Sequence, residues 1–196
     1  PVRFREAGID ALTLAPHKFH GPRGVGCLLI RAGLNPGAMI VGGAQQLGNR
    51  AGTEPLALAV GAEEALAQAS IDDFARSRYL ALLRDRMQQH LVHEFPQAVI
   101  VGHDVPRVPQ TLCIAFPGID RQALVIGLDR AGVACASGSA CASGSSEPSP
   151  VLRAMGLPEK TIGGAIRLSV GRTNTEKEID QAVEIIARVA RRLGFS

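Results

Sequence analysis

The apolar residues fall in short runs whose spacing changes along the chain. Residues 10–14 (DALTL) alternate as a short strand, and residues 25–30 (VGCLLI) form a continuous apolar run that predicts a buried one. Between them lies a turn-rich connection, APHKFHGPRG, with two prolines and two glycines. Residues 33–53 are glycine-rich and aperiodic and read as loop. From 54 to 94 the apolar positions Leu58, Ala62, Ala65, Leu66 and Ala69 take helical spacing, and Ser70 or one of the aspartates after Ile71 is placed to cap a second helix.

Beyond Pro96 the texture shifts to short strands at 98–101 and 111–116, then a helix near 120–131. A loop of Ser, Gly, Ala and Cys covers 134–146, and a short helix is expected at 148–155, opened by Pro148 and closed by Gly156. Residues 165–170 read as a strand. Thr175, with Glu178 three positions on, predicts a capping box at the head of a last helix reaching about Leu193. Alternating strands and helices indicate an α/β organisation, with a domain boundary inside the long helical stretch.

Composition narrows the function. The chain of 196 residues is 46% apolar and 20% charged, enough to bury a core and too apolar for disorder. A net charge of +3 is too small to call for nucleic acid or an anionic membrane as partner. No run approaches the roughly 20 apolar residues of a membrane span, and no leader opens the chain. The first residue, Pro1, suggests a fragment or processed product. Lysine is rare: Lys18, Lys160 and Lys177 are the only ones, the other basic residues being arginines. The 4 cysteines, Cys27, Cys113, Cys135 and Cys141, lack CxxC spacing and nearby histidines, which disfavours a disulfide scaffold or closed zinc site and favours a reducing, cytoplasmic compartment. Cys27 and Cys113 lie in apolar runs and read as core residues. His90, His93 and His103 read as surface residues.

Four segments carry candidate chemistry. His17-Lys18 sits in a framed turn after a strand, where a partly desolvated amine becomes nucleophilic; a solvated surface lysine fits the same residues. The glycine-rich run GGAQQLGNRAGT, with Arg50 and Thr53 just before a helix, suits a phosphate cradle or an ordinary connection, and it is not a P-loop. The run ACASGSACASGSS can carry a thiolate to a substrate and away, or be a linker or metal-binding loop. Arg167 and Arg172 flank a strand end, where a guanidinium can hold a carboxylate or join a salt bridge.

Together, HKFHGPRGVG, the Gly-Gly…Arg-Ala-Gly-Thr run, Ser137-Gly138-Ser139-Ala140-Cys141, Glu147-Pro148-Ser149, VLRAMG and IRLSVGR resemble the C-terminal half of a cysteine desulfurase of the long-loop branch, over essentially the whole chain. The resemblance implies the aminotransferase-like type I fold of pyridoxal-phosphate (PLP) enzymes. Residues 1–65 would be the last part of the large PLP-binding domain, and 66–196 a small α/β domain with the cysteine loop. It implies Lys18 as the Schiff-base lysine, His17 beside the cofactor's phosphate, Thr53 on the phosphate of a neighbouring subunit's cofactor in a homodimer, Cys141 as the persulfide-forming nucleophile and Arg167 as anchor for the carboxylate of L-cysteine. The sulfur would pass to an acceptor protein for iron–sulfur or thiolation pathways. No metal is expected, with Cys141 at most a transient iron–sulfur ligand.

The sequence departs from the family pattern in places. Ala15-Pro16 stands where the family often has a serine before His-Lys, and Gln46 where glutamate is common. The family's pyridine-pairing aspartate, ring-stacking histidine and first phosphate turn would precede Pro1, so this chain alone is expected to show little or no turnover. Rival readings are a selenocysteine lyase or other PLP lyase on the same scaffold, a non-enzymatic sulfur carrier using Cys141 with or without Cys135, and an inactive fragment.

Overall fold

A computed structural model describes residues 2–71, 73–138 and 148–195. The chain divides into two compact units, residues 1–73 and 74–196. In the first, β1 (Ala11–Leu14) and β2 (Cys27–Ile30) pair antiparallel, Leu14 opposite Cys27. A 3-10 turn over Pro16–Phe19 joins them, followed after a second such turn at Gln45–Gly48 by α1 (Leu56–Ser70). Leu58, Ala62, Ala65 and Ala69 form the covered line of α1, with only Ala62 fully buried, while Leu56, Val60 and Leu66 are exposed.

The run at 25–30 is a strand, but not a buried one: Leu28 and Leu29 stand 54% and 43% exposed, and Cys27 is exposed rather than in the core. A two-stranded ribbon has no further layer of its own with which to cover both faces.

The second unit is built on an antiparallel sheet, β3 (Val99–Ile100), β4 (Thr111–Ala115) and β5 (Ala165–Ser169), in that order. Around it lie α2 (Asp73–Glu94), α3 (Arg121–Arg130), α4 (Pro150–Ala154), α5 (Glu159–Gly163) and α6 (Glu176–Arg192). The register Leu112↔Leu168 and Ile114↔Ile166 puts these four side chains on one face, in a core with Leu83, Leu91, Leu124 and Leu128. The alternate positions, Cys113↔Arg167 and Ala115↔Ala165, face the other way, where Leu152 and Ile162 make a smaller core.

Local chemistry explains most boundaries. Asp120 accepts from the Ala123 amide at 2.8 Å and starts α3, and Thr175 with Glu178 forms the expected capping box. The α4 cap is Ser149, with Pro150 in the first turn, so Pro148 lies outside that helix. On α6, Ile179, Val183, Ile186, Ala187 and Ala190 are buried at helical spacing. Phe95, Phe116 and Phe195 meet as a cluster, with ring centroids 5.2–5.8 Å apart. Beside β4, the Phe116 amide donates to the Gly164 carbonyl at 3.0 Å, and a Cβ on Gly164 would collide with the Phe116 carbonyl oxygen, so only glycine fits.

Candidate active site

Lys18 owes its position to a rigid turn. Buried Pro16 opens the 3-10 turn with its fixed φ, the Lys18 amide donates to Ala15 at 2.9 Å, and the Gly21 amide closes back onto Pro16 at 2.8 Å. A Cβ at Gly21 would lie 2.8 Å from the Pro16 Cβ, so this closure requires glycine. Helix α1 packs beside the turn, Gly61 allowing it to approach the Pro22 ring. The backbone is held while the side chains of His17 and Lys18 point to the exposed side. The Lys18 amine makes no hydrogen bond or ion pair to a described residue, which leaves it available to a carbonyl-bearing partner.

In the same unit, the glycine-rich run folds on itself. The Ala51 amide donates to Ile40 at 3.1 Å, and Gly52 to the Gln45 side chain at 3.3 Å. Gln46 and Leu47 hold left-handed φ angles of 50° and 57°, and Leu47 is 96% exposed. Strain of this kind is uncommon outside glycine and persists where a loop must present particular groups. Arg50 donates to the Ala51 carbonyl at 2.6 Å, so part of its guanidinium is engaged with its own loop. Thr53 is exposed, with no hydrogen bond to a described residue, ahead of α1.

In the second unit, Arg167 lies on β5, directly opposite Cys113 on β4. Its backbone bonds reciprocally to Ala136, which fixes the start of the cysteine loop against this strand (Ala136 N to Arg167 O, 3.1 Å; Arg167 N to Ala136 O, 2.7 Å). The guanidinium is half-buried and makes no hydrogen bond or ion pair to a described residue. It opens into a cleft of about 250 Å³ with mostly apolar walls, including Leu152, Met155 and Val101. An arginine partly out of water without a carboxylate partner is costly, and an incoming carboxylate relieves that cost.

Cys113, which the sequence placed in the core, packs partly buried against the smaller core and also lines this cleft: its strand alternates, and position 113 falls on the Arg167 side. Apolar context in the sequence gave no sign of the pairing, which is a consequence of the β4–β5 register. Burial pushes the Cys113 thiol up, and the Arg167 charge offsets part of that. Cys135 is pushed up to about 11 by burial and by the Asp129 carboxylate. Cys141 lies outside the described residues. Among those described, no group of His, Cys, Asp and Glu is arranged to hold a metal ion, and no helix is long and apolar enough to cross a membrane.

The profile of the aminotransferase class-V family matches residues 1–182. A protein named cysteine desulfurase 2 from Trichormus variabilis is 42% identical over 195 residues, covering 98% of this chain and 48% of that protein. Among solved structures, a NifS-like protein superposes with a TM-score of 0.86 at 30% identity, covering 98% of this chain and 49% of the other. The structure titled SspA in complex with cysteine gives 0.63 at 27% identity, covering 86% and 46%. The chain thus spans about half the length of the curated relatives it matches. With the match running from the lysine turn into the capped last helix, this chain belongs to the aminotransferase class-V family.

Proposed function

We propose that this chain supplies the lysine, thiol and carboxylate anchor of a PLP-dependent cysteine desulfurase, which turns L-cysteine into L-alanine and carries the sulfur away as a persulfide. The observation that carries the reading is the half-buried Arg167 guanidinium, unpaired among the described residues and facing an apolar cleft beside the start of the cysteine loop. A cysteine desulfurase needs a fixed cation for the substrate carboxylate and a thiol that travels, and Ala136, five residues before Cys141 in sequence, is bonded to the strand that carries this cation. Names of relatives at about 40% identity, and a neighbour titled as a complex with cysteine, point the same way.

The residues suit the cofactor. Among the described residues nothing engages the Lys18 amine, on a braced turn with His17 beside it in sequence, or the Thr53 hydroxyl ahead of a helix. PLP bound there would supply an electron sink for the carbanion at the substrate Cα. Arg167 would orient the substrate through its carboxylate. Lys18 would hold the cofactor and then move the proton at Cα. The Cys141 thiolate would attack the substrate sulfur: a sulfur–sulfur bond forms, the carbon–sulfur bond breaks, and the carbon skeleton, once protonated, departs as alanine. Thr53 would serve the phosphate of a second subunit's cofactor in a homodimer. The domain assignment, residues 1–65 in the cofactor domain and 66–196 in the small domain, belongs to the same reading. The three described cysteines are free thiols, which suits a reducing cytoplasm and delivery of sulfur to an iron–sulfur scaffold or similar acceptor.

The test is turnover of L-cysteine by the active enzyme, with alanine and Cys141-bound sulfur measured separately. Lys18→Ala is expected to abolish both products, and Cys141→Ser to abolish bound sulfur together with turnover. Alanine formation that persists in Cys141→Ser would overturn the thiol's role.

A further inference from the structure

Cys113 and Arg167 are directly opposed on β4 and β5, and both line the same cleft of about 250 Å³. The cleft is smaller than the roughly 300–1,000 Å³ of pockets for drug-sized ligands, a scale suited to a single amino acid. Its walls include Leu152 and Met155, and the hydroxyls of Ser137 and Ser149 add hydrogen-bonding capacity. A thiol thus stands beside a guanidinium that has no partner among the described residues, in a mostly apolar recess. That combination selects for a ligand carrying both a carboxylate and a sulfur electrophile.

We infer that Cys113 is a thiol–disulfide exchange site for disulfides of carboxylate-bearing amino acids, of which cystine is the simplest. The inference rests on the reading of Arg167 as a carboxylate anchor. With the disulfide's carboxylate held by Arg167, the Cys113 sulfur attacks the nearer disulfide sulfur. The original disulfide bond breaks, a mixed disulfide forms between Cys113 and one half-cystine, and the other half leaves as cysteine, taking the thiol proton. One disulfide is consumed and one made, so no outside oxidant or reductant is needed. The attached half-cystine fills the cleft and occupies Arg167, which excludes a substrate carboxylate until a free thiol reverses the exchange. An oxidised cysteine pool would in this way shut a site that consumes reduced cysteine.

The experiment exposes the protein to cystine or to the neutral disulfide of 2-mercaptoethanol, matched for disulfide concentration, and follows mixed-disulfide formation at each cysteine by peptide mass mapping. Cystine is expected to modify Cys113 about tenfold faster than the neutral disulfide. Arg167→Gln is expected to erase that preference and Arg167→Lys to keep part of it, with circular dichroism confirming that both variants fold. Equal rates with the two reagents at Cys113, or modification confined to the other cysteines, would overturn the inference. A parallel titration of Cys113→Ser with L-alanine, read from the Arg167 Nε–H resonance, separates the two readings. If that resonance moves while Cys113 shows no preference for cystine, the anchor stands and the exchange site falls; if it does not move either, both fall.

Discussion

Ala136 and Arg167 exchange both of their backbone hydrogen bonds, at 3.1 and 2.7 Å, so the loop leading to Cys141 starts from the strand that carries the cleft's guanidinium. Ala136, near the start of the loop, and the strand that carries the cation are therefore one mechanical piece. Ala136→Pro removes the donor of one bond. Hydrogen exchange at the Arg167 amide is expected to accelerate roughly 2- to 12-fold, the equivalent of about 0.5–1.5 kcal/mol for one hydrogen bond. Unchanged exchange would mean that the junction is held by something else.

Arg167 tests the carboxylate anchor by kinetics. A charge-assisted hydrogen bond contributes about 1.5–3 kcal/mol, so Arg167→Gln is expected to raise KM for L-cysteine roughly 10- to 150-fold. Arg167→Lys keeps the charge but loses the planar fork, and should recover only part of the loss. A fall in kcat with KM unchanged would place Arg167 outside substrate binding.

The acid limb of stability has a local source. Arg86 donates to both Asp180 oxygens, at 2.7 and 2.8 Å, and holds this carboxyl below its usual range, while the Thr175 backbone amide does the same for Glu178. Both pKa values are depressed in the folded chain, so the unfolded chain binds more protons as pH falls. The stabilisation is present above the ordinary carboxylate range near pH 4 and is lost as pH drops through the folded values. Asp180→Asn should flatten the fall in Tm below pH 4 without steepening it elsewhere, read by thermal melts across a pH series.

Gly164→Ala drives a methyl group into the Phe116 carbonyl, at a point where the Phe116 amide also bonds to residue 164. A destabilisation of at least about 1–3 kcal/mol is expected by denaturant titration. A neutral result would mean that the β4–α5 junction can shift, contrary to its burial.

Much of this architecture was legible in the sequence because short-range chemistry set it. Thr175 with Glu178 and the break near Ile71 each announce an element boundary, and the strand at 111–116 and the helix near 120–131 follow from the change in texture. The turn bearing His17 and Lys18 was legible as a turn, since Pro16 and Gly21 frame it. Two 3-10 turns and the five-residue α5 were missed, because segments that short carry no full hydrophobic period. The exposure of Cys27, Leu28 and Leu29 was missed because an apolar run reports what a strand wants to bury, not what covers it. The place of Cys113 beside Arg167 is not legible for a different reason. Its partnership with Arg167 depends on strand register between positions far apart in the chain, which no local pattern encodes.

The central claim is that Lys18 is the cofactor lysine, and the scarcity of lysines makes it directly testable. The active enzyme, loaded with PLP and reduced with borohydride, should carry a phosphopyridoxyl group on Lys18 in peptide mapping, and Lys18→Ala should carry none. A label on Lys160 or Lys177, or a label undiminished in Lys18→Ala, would contradict the account.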